Sequence, residues 1–154
     1  ELWSAKDKKY VKEGLFYTTH SDGSLYKITT WESGIRNGQF VEYTKKGILK
    51  RIGSYLNGHK NGKWLSYTDK GRLFEKEQFH FGKRNGKKTQ YNTSVKTKEQ
   101  PEFVKHYKDD DLHGPYEQFD SKGKRVKWGN YVNNNQSGTW YEYNFNRELV
   151  SKQY

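Results

Sequence analysis

The sequence contains no cysteine and no methionine, and only two of its 154 residues are proline. Without cysteine the chain has no disulfide, no thiolate metal ligand and no cysteine nucleophile. No stretch approaches the roughly 18 consecutive apolar residues of a membrane-spanning helix. Aliphatic residues are scarce as well. Leucine, isoleucine, valine and phenylalanine together supply only about 18% of the chain, a fraction typical of disordered proteins.

Aromatic residues compensate for this scarcity. The chain has 13 tyrosines, 8 phenylalanines and 5 tryptophans, and each aromatic side chain can bury about 150–250 Å². We therefore expect residues 1–154 to form a single folded domain with a thin aromatic core. Lysine and arginine number 29 against 18 acidic residues, a formal net charge of +11. This excess favours acidic proteins, anionic lipids or nucleic acid as partners.

A repeat with a period of about 24 residues organises the chain. In the three clearest units an aromatic residue is followed by glycine three and seven residues later, as in Tyr55, Gly58 and Gly62. The recurring aromatics are Trp31, Tyr55, Phe79, Tyr107 and Tyr131. They are separated by one period each, except between Phe79 and Tyr107, where the register slips by about four. We count six copies, with an irregular first copy and an insertion near residues 92–101.

Two glycine-containing turns divide each copy into two segments of strand length. The Asn37-Gly38 and Asn61-Gly62 pairs are strong signals for tight type I′ hairpins. Lys46-Gly47 and Lys70-Gly71 mark a second turn. Between the turns, apolar residues do not follow helical spacing. The pattern predicts an all-β fold, an elongated antiparallel meander of stacked β-hairpin repeats.

A second aromatic series is predicted to form the core that the stacked copies share. Its members are Phe16, Phe40, Trp64, Tyr116 and Trp140. Each alternates with polar neighbours along its strand, and a hairpin buries its apolar face only by stacking on the next one. Lys88 breaks this series in the fourth copy.

These residues resemble the MORN repeat. The stretch from Tyr55 to Tyr67, with Gly58, Gly62 and a Lys-Gly turn after it, carries the motif, and the likeness covers about residues 10–150. More narrowly the chain is similar to a bacterial MORN variant labelled a YwqK-type antitoxin component. The resemblance implies an elongated β-hairpin array that acts as a protein-binding or lipid-binding scaffold. The chain departs from the pattern at Asp110, Asn134 and Val95, where glycine is expected.

Two recurring sets of side chains are candidate binding residues. The first is the aromatic series Trp31, Tyr55, Phe79, Tyr107 and Tyr131. The second is a set of basic turn residues, Arg36, Lys60, Lys83 and Arg84. The repeat should align the rings in a row along one face, which is interpreted either as ordinary core or as a groove for an extended peptide. The basic residues should form a positive edge, which is interpreted either as a solvated surface or as part of a binding site.

No motif predicts catalysis, a metal site or a cofactor. The five histidines lack metal-ligand spacing, and no nucleophile is grouped with a base. Glu75 and Glu77 share one face of a strand and are interpreted as solvent-exposed carboxylates beside Lys76 and Arg72. We therefore expect a protein that is not an enzyme and needs no cofactor.

Three functions remain open at this point. The leading one is a scaffold that binds a protein or peptide. The alternative is electrostatic attachment to anionic membrane lipid or cell-envelope polymer. Binding of single-stranded nucleic acid ranks third, because acidic residues interleave with the basic ones. The absence of an initiator methionine suggests a processed N-terminus, and with the cysteine-free composition it favours a bacterial envelope or secreted protein over a cytoplasmic one. Whether the chain forms homo-oligomers stays undetermined.

Overall fold

A computed structural model describes residues 11–94 and 99–154 of the chain. These residues form one antiparallel sheet of fourteen strands, with no helix that could span a membrane. The strands are β1 (Gly14–Thr19), β2 (Leu25–Glu32), β3 (Ile35–Tyr43), β4 (Leu49–Leu56), β5 (His59–Tyr67), β6 (Leu73–His80), β7 (Lys83–Arg84), β8 (Gly86–Tyr91), β9 (Pro101–Lys108), β10 (Asp111–Leu112), β11 (Gly114–Phe119), β12 (Arg125–Val132), β13 (Asn135–Tyr143) and β14 (Leu149–Gln153).

Strands that follow one another in sequence are neighbours in the sheet. Strands β7 and β8 both hydrogen-bond to β6 and together form one strand that a single residue interrupts. Strands β10 and β11 both hydrogen-bond to β9 and form a second strand of this kind. When each interrupted strand is counted once, a repeat contributes two strands. The predicted all-β meander of stacked hairpins is confirmed.

The tight hairpin turns lie four residues before the Asn-Gly pairs predicted to form them. Ser33 and Gly34 have φ angles of 48° and 79°, the two left-handed residues that a type I′ turn requires. Asn37-Gly38 lies instead inside β3, where the pairing with β2 shifts register. The predicted position was wrong because a left-handed glycine, here Gly38 with φ 102°, also forms strand irregularities.

Two hairpin turns keep this geometry without glycine. Asp110 and Asn134 have φ angles of 78° and 68°, a region that Asp and Asn tolerate better than most residues. The side-chain oxygen of Asp110 accepts a hydrogen bond from the Arg84 amide at 2.9 Å, and that of Asn134 accepts one from the Leu112 amide at 2.7 Å. The side chains thus tie each turn to the preceding copy. Val95 and part of the predicted insertion lie outside the described residues.

Within the described residues, the second turn of a copy lies at the other ends of the strands, at the predicted glycines. Gly47, Gly71 and Gly123 have φ angles of 73°, 75° and 80°. In the last copy Arg147 takes the equivalent position with φ 63°. Where the structure describes both turns of a copy, left-handed residues at fixed offsets set them, which keeps those hairpins in step.

The predicted core series lies on one face of the sheet. Phe40, Trp64 and Trp140 are buried, with 6%, 3% and 4% of their surface exposed. Phe16 and Tyr116 are partly buried. No large side chain of the described residues is less than 2% exposed, because a single sheet has no second layer to cover it.

Glycine makes room for the tryptophans of this core. A Cβ atom on Gly53 would lie 2.3 Å from Cδ2 of Trp64, and a Cβ atom on Gly129 would lie 2.3 Å from Cδ2 of Trp140. Neither glycine has a positive φ angle, so close approach of the indole, rather than backbone conformation, requires it.

The fourth copy replaces this packing with an ion pair. Lys88 stands where the other copies place an aromatic residue, and its Nζ lies 3.0 Å from Glu77 Oε1 and 2.6 Å from Glu75 Oε2. Both glutamates are less than one-fifth exposed, so their interpretation as solvent-exposed carboxylates was wrong. Lysine is tolerated at this core position because Glu75 and Glu77 on the neighbouring strand neutralise its charge.

Candidate functional site

The five recurring aromatics lie on the same face as the core series and form a row beside it. Tyr55 contacts Phe40 and Trp64 edge-on, with ring centres 5.7 Å and 5.2 Å apart. Tyr131 likewise contacts Trp140 at 5.0 Å. All five aromatics are partly buried. Trp31 and Phe79 also contact the core series edge-on, at Phe16 and Trp64, whereas Tyr107 makes no such ring contact among the described residues. Four of the five rings therefore pack on the core series, and their use as a groove for a peptide stays a prediction.

The predicted basic residues lie between these rings. The guanidinium of Arg36 is 5.5 Å from the ring centre of Trp31 and 5.3 Å from that of Tyr55. The ammonium of Lys60 is 4.7 Å from the ring centre of Phe79 and 4.5 Å from the core indole of Trp64. These distances fall within the range of cation–π attraction.

Arg84 extends the same arrangement, with its guanidinium 4.4 Å from the ring centre of Tyr107. The structure therefore places Arg36, Lys60 and Arg84 beside the rings of the aromatic series, whereas the exposed Lys83 makes no such contact among the described residues. We refer to the resulting row as the ladder, and its members are Lys12, Trp31, Arg36, Tyr55, Lys60, Phe79, Arg84, Tyr107 and Tyr131.

Lys12 is a member that sequence reasoning missed. Its ammonium lies 4.5 Å from the ring centre of Trp31 and 5.5 Å from that of Phe16. It stands one full repeat before Arg36, so the period could have identified it. Tyr154 was also missed, although its ring lies 6.5 Å from Trp140 at the far end of the row. Leu112 stands where the next ladder cation would be, so the cations end at Arg84.

The ladder cations differ in whether a carboxylate already neutralises them. Nε of Arg84 lies 3.0 Å from Oδ1 of Asp110, and the same oxygen accepts a hydrogen bond from the backbone amide of Arg84. Among the described residues, no carboxylate lies within 4 Å of the side-chain nitrogens of Arg36 or Lys60. The first half of the ladder therefore presents cations without acidic partners.

Burial affects the chemistry of Lys60. It is partly buried beneath the rings, and this burial lowers the pKa of its ammonium, with a further lowering from Arg51. Glu75 and Glu77 act in the opposite direction from the neighbouring strand. A cation whose solvation is reduced in this way gains more from a carboxylate than a fully hydrated surface lysine does.

Backbone hydrogen bonds hold the ladder cations at fixed positions. The carbonyl of Arg36 accepts from the Gly58 amide at 2.8 Å, and the carbonyl of Lys60 accepts from the Gly82 amide at 2.8 Å. The carbonyl of Arg84 accepts from the Asp110 amide at 3.0 Å. Each hairpin turn is thus bonded to the strand of the preceding copy that carries the cation. A site held this way loses little backbone freedom when a ligand binds.

Two cationic depressions lie at the other ends of the strands, beside the second turns of the repeat. The first, which we call the Tyr143 cup, has a volume of about 360 Å³. Its lining includes Lys122, Lys124, Tyr143 and Arg147, with the Lys124 ammonium 4.6 Å from the centre of the Tyr143 ring. Asp120 also lines it, but its carboxylate accepts from the amides of Lys122 and Lys124 at 2.9 Å. These hydrogen bonds keep the pKa of Asp120 below its usual value.

The second depression, which we call the Tyr43 cup, also has a volume of about 360 Å³. Its basic lining is Lys45, Lys46 and Lys50, and Asp69 is its acidic member. Tyr43 and Tyr143 occupy equivalent places at the ends of β3 and β13. The two cups therefore lie at equivalent places in the repeat, but their basic residues come from different repeat positions. Sequence analysis did not single them out.

Comparison with protein families and with curated proteins gives no match for this chain. Solved structures that it resembles include a chain of the GtfA/B complex bound to UDP and GlcNAc, at 13% identity and a TM-score of 0.25. That alignment covers 95% of this chain and 25% of the other, so this chain spans about a quarter of its length. A likeness this distant carries no argument about function.

Within the described residues, no group of three or more histidine, aspartate or glutamate side chains is placed to hold a metal ion. The ladder and the two cups are the surfaces whose geometry suggests binding. All of them combine cations with aromatic rings, but the ladder is continuous over several copies and the cups are separate.

Proposed function

We propose that this protein is a non-catalytic binding scaffold of MORN-like repeats that engages a protein or peptide partner along the ladder. The observation that carries the proposal is the alternation of partly exposed rings with cations, of which Arg36 and Lys60 have no carboxylate within 4 Å among the described residues. Aromatic residues and arginine are the side chains that contribute most often to interface affinity. The proposal assigns no cofactor and no catalytic step to the chain.

The ladder also meets the energetic requirements of a recognition surface. Tyr55, Phe79 and Tyr131 are anchored on the buried residues Trp64 and Trp140, so these rings do not need to be ordered when a partner binds. Side chains that are already immobilised avoid the entropic cost of about 0.5–1.5 kcal/mol each that flexible ones incur on binding.

A capture experiment tests the proposal. The chain is immobilised and exposed, with nuclease, to a lysate of its source organism at low and at moderate salt. The test variant is Arg36→Gln with Lys60→Gln. The matched control is Lys63→Gln with Lys87→Gln, which removes the same charge from exposed positions next to Trp64 and Lys88, on the other face of the sheet. The ring residues are left intact, because Tyr55 and Phe79 also pack on the core.

The proposal requires that the parent and the control retain a protein at both salt concentrations and that the ladder variant loses it. If the ladder variant retains the same protein as the parent, the ladder is not the binding surface. Circular dichroism of each variant checks that the sheet is intact.

The second candidate is attachment to an anionic lipid surface or cell-envelope polymer, and the two cups favour it. Each cup gathers three basic side chains at the same ends of the strands, beside Tyr143 in one cup and beside Tyr26 and Tyr43 in the other. A lysine or arginine near an anionic membrane contributes about 1 kcal/mol, an effect that salt screens. Co-sedimentation with anionic vesicles tests this function, which requires that Lys122→Gln with Lys124→Gln weakens binding and that high salt abolishes it. Binding that is insensitive to salt would contradict it.

A further inference from the structure

The period of the ladder restricts the ligand that fits it. Consecutive ladder cations are separated by two strands, and neighbouring strands in a sheet lie about 4.8 Å apart, so the cations recur about every 9.6 Å. The Arg36 guanidinium, at 5.5 Å and 5.3 Å from the ring centres of Trp31 and Tyr55, bridges two rings whose separation is compatible with this period. A ligand that lies along the ladder meets one ring and one cation in each such step.

A polyproline II helix matches this period. It has three residues per turn and rises about 3.1 Å per residue, so every third side chain returns to the same face after about 9.3 Å. A β-strand covers a similar distance in three residues, but its third side chain points to the opposite face. An α-helix returns to one face after seven residues and about 10.5 Å, which falls progressively out of step with the ladder.

The charge of the ladder defines the side chain at every third position. Arg36 and Lys60 have no carboxylate within 4 Å among the described residues. Arg84, the next cation in the row, is bound by Asp110 through its Nε at 3.0 Å. Asp110 thus shows, within the chain itself, how a carboxylate engages a ladder cation. The rings between the cations are partly exposed, as are the aromatic residues that line grooves for polyproline II segments.

We infer that the ladder recognises an acidic peptide in the polyproline II conformation, with a carboxylate at every third residue for Lys12, Arg36 and Lys60 and proline between them. This inference rests on the proposed scaffold function and specifies its ligand. The peptide's carboxylates pair with the first three ladder cations only, because Arg84 is already paired with Asp110.

Fluorescence anisotropy with labelled peptides tests the inference. The probe has four repeats of Glu-Pro-Pro. The first control has the same four glutamates and eight prolines, with the glutamates in adjacent pairs, and the second replaces every glutamate with glutamine. All three peptides favour the same backbone conformation, so they differ only in the presence and spacing of charge.

We expect the Glu-Pro-Pro probe to bind the full chain at least tenfold more tightly than either control. Lys60→Gln should reduce that affinity at least fivefold, whereas Lys63→Gln, on the same strand but on the other face, should leave it unchanged. Equal binding of the two glutamate peptides would overturn the inferred spacing and indicate general charge attraction. An equal effect of the two lysine substitutions would overturn the inferred location.

The failure of this inference is distinguishable from failure of the scaffold function. If no peptide binds but the Arg36→Gln, Lys60→Gln variant still loses the captured protein, the ladder binds a different ligand and the inference is overturned alone. If that variant also keeps the captured protein, both proposals fail.

Discussion

Replacing Gly53 with alanine should destabilise the sheet, against the usual effect of this substitution. In a strand whose backbone angles suit any residue, alanine in place of glycine normally stabilises by about 0.5–1 kcal/mol, because it restricts the unfolded chain. The added Cβ atom, however, would lie 2.3–2.8 Å from three atoms of the Trp64 indole, closer than real contacts allow. The indole therefore has to move.

The cost follows from what Trp64 loses. The residue is 3% exposed, and full burial of about 200 Å² of aromatic surface stabilises by about 5 kcal/mol. Its Nε1 donates a hydrogen bond to the Ser54 carbonyl at 3.2 Å, which contributes about 1 kcal/mol. If displacement forfeits half of this, Gly53→Ala lowers the free energy of unfolding by about 3 kcal/mol, at the upper end of the range for overpacked cores.

Urea unfolding followed by circular dichroism measures this change. The preceding copy suggests a compensating double variant. It has Thr29 paired with Phe40 at the positions equivalent to Gly53 and Trp64. The double variant Gly53→Thr with Trp64→Phe should recover more than half of the stability lost in Gly53→Ala. If Gly53→Ala alone leaves the stability unchanged, like a substitution at an ordinary surface position, the reasoning about indole packing is refuted.

Three further predictions concern single side chains. Phe81 has a φ angle of 44°, a left-handed conformation that costs a bulky residue about 1 kcal/mol. Phe81→Asn should therefore raise the free energy of unfolding, measured by urea titration, by about 0.5–1 kcal/mol. Unchanged stability would refute this. Lys88→Gln should lower that free energy by about 2 kcal/mol, because it leaves Glu75 and Glu77 half-buried and unpaired. Burial lowers the pKa of Lys88 but the hydrogen bonds to both glutamates prevail and raise it, so its stabilisation is present at neutral pH and is lost as pH rises through that raised pKa. Burial lowers the pKa of Lys60, so anisotropy titrations with Glu-Pro-Pro peptides should show affinity falling at a lower alkaline pH than in Lys60→Arg, and identical pH profiles would contradict this.

The sequence predicted the architecture because its information is periodic. The regular recurrence of the aromatics identified the hairpin array, and the series Phe40, Trp64 and Trp140 identified the buried core. The same period places Trp31, Arg36, Tyr55 and Lys60 in one row, so the geometry of the candidate site followed from the repeat.

Features that depend on the pairing of different strands were beyond sequence reasoning. Asn37-Gly38 has the composition of a hairpin turn, but the register of β2 against β3 makes it a strand irregularity. The fourth copy has Glu77 and Lys88 at the positions of Gly53 and Trp64 in the third. That these two substitutions belong together is evident only when the cross-strand neighbours are known. The cups were missed because each is lined by residues of different turns, which lie close together only after the sheet has formed.

The most direct test of the scaffold function is a solution NMR titration of the indole N–H signals with the captured partner. Trp31 lies in the ladder, whereas the Nε1 atoms of Trp64 and Trp140 donate to the Ser54 and Asn130 carbonyls within the core. Binding along the ladder should shift the Trp31 signal in proportion to bound partner and leave the Trp140 signal in place. A partner that leaves Trp31 unchanged and perturbs the amides of Lys122 and Lys124 instead would place recognition at the Tyr143 cup and contradict the account.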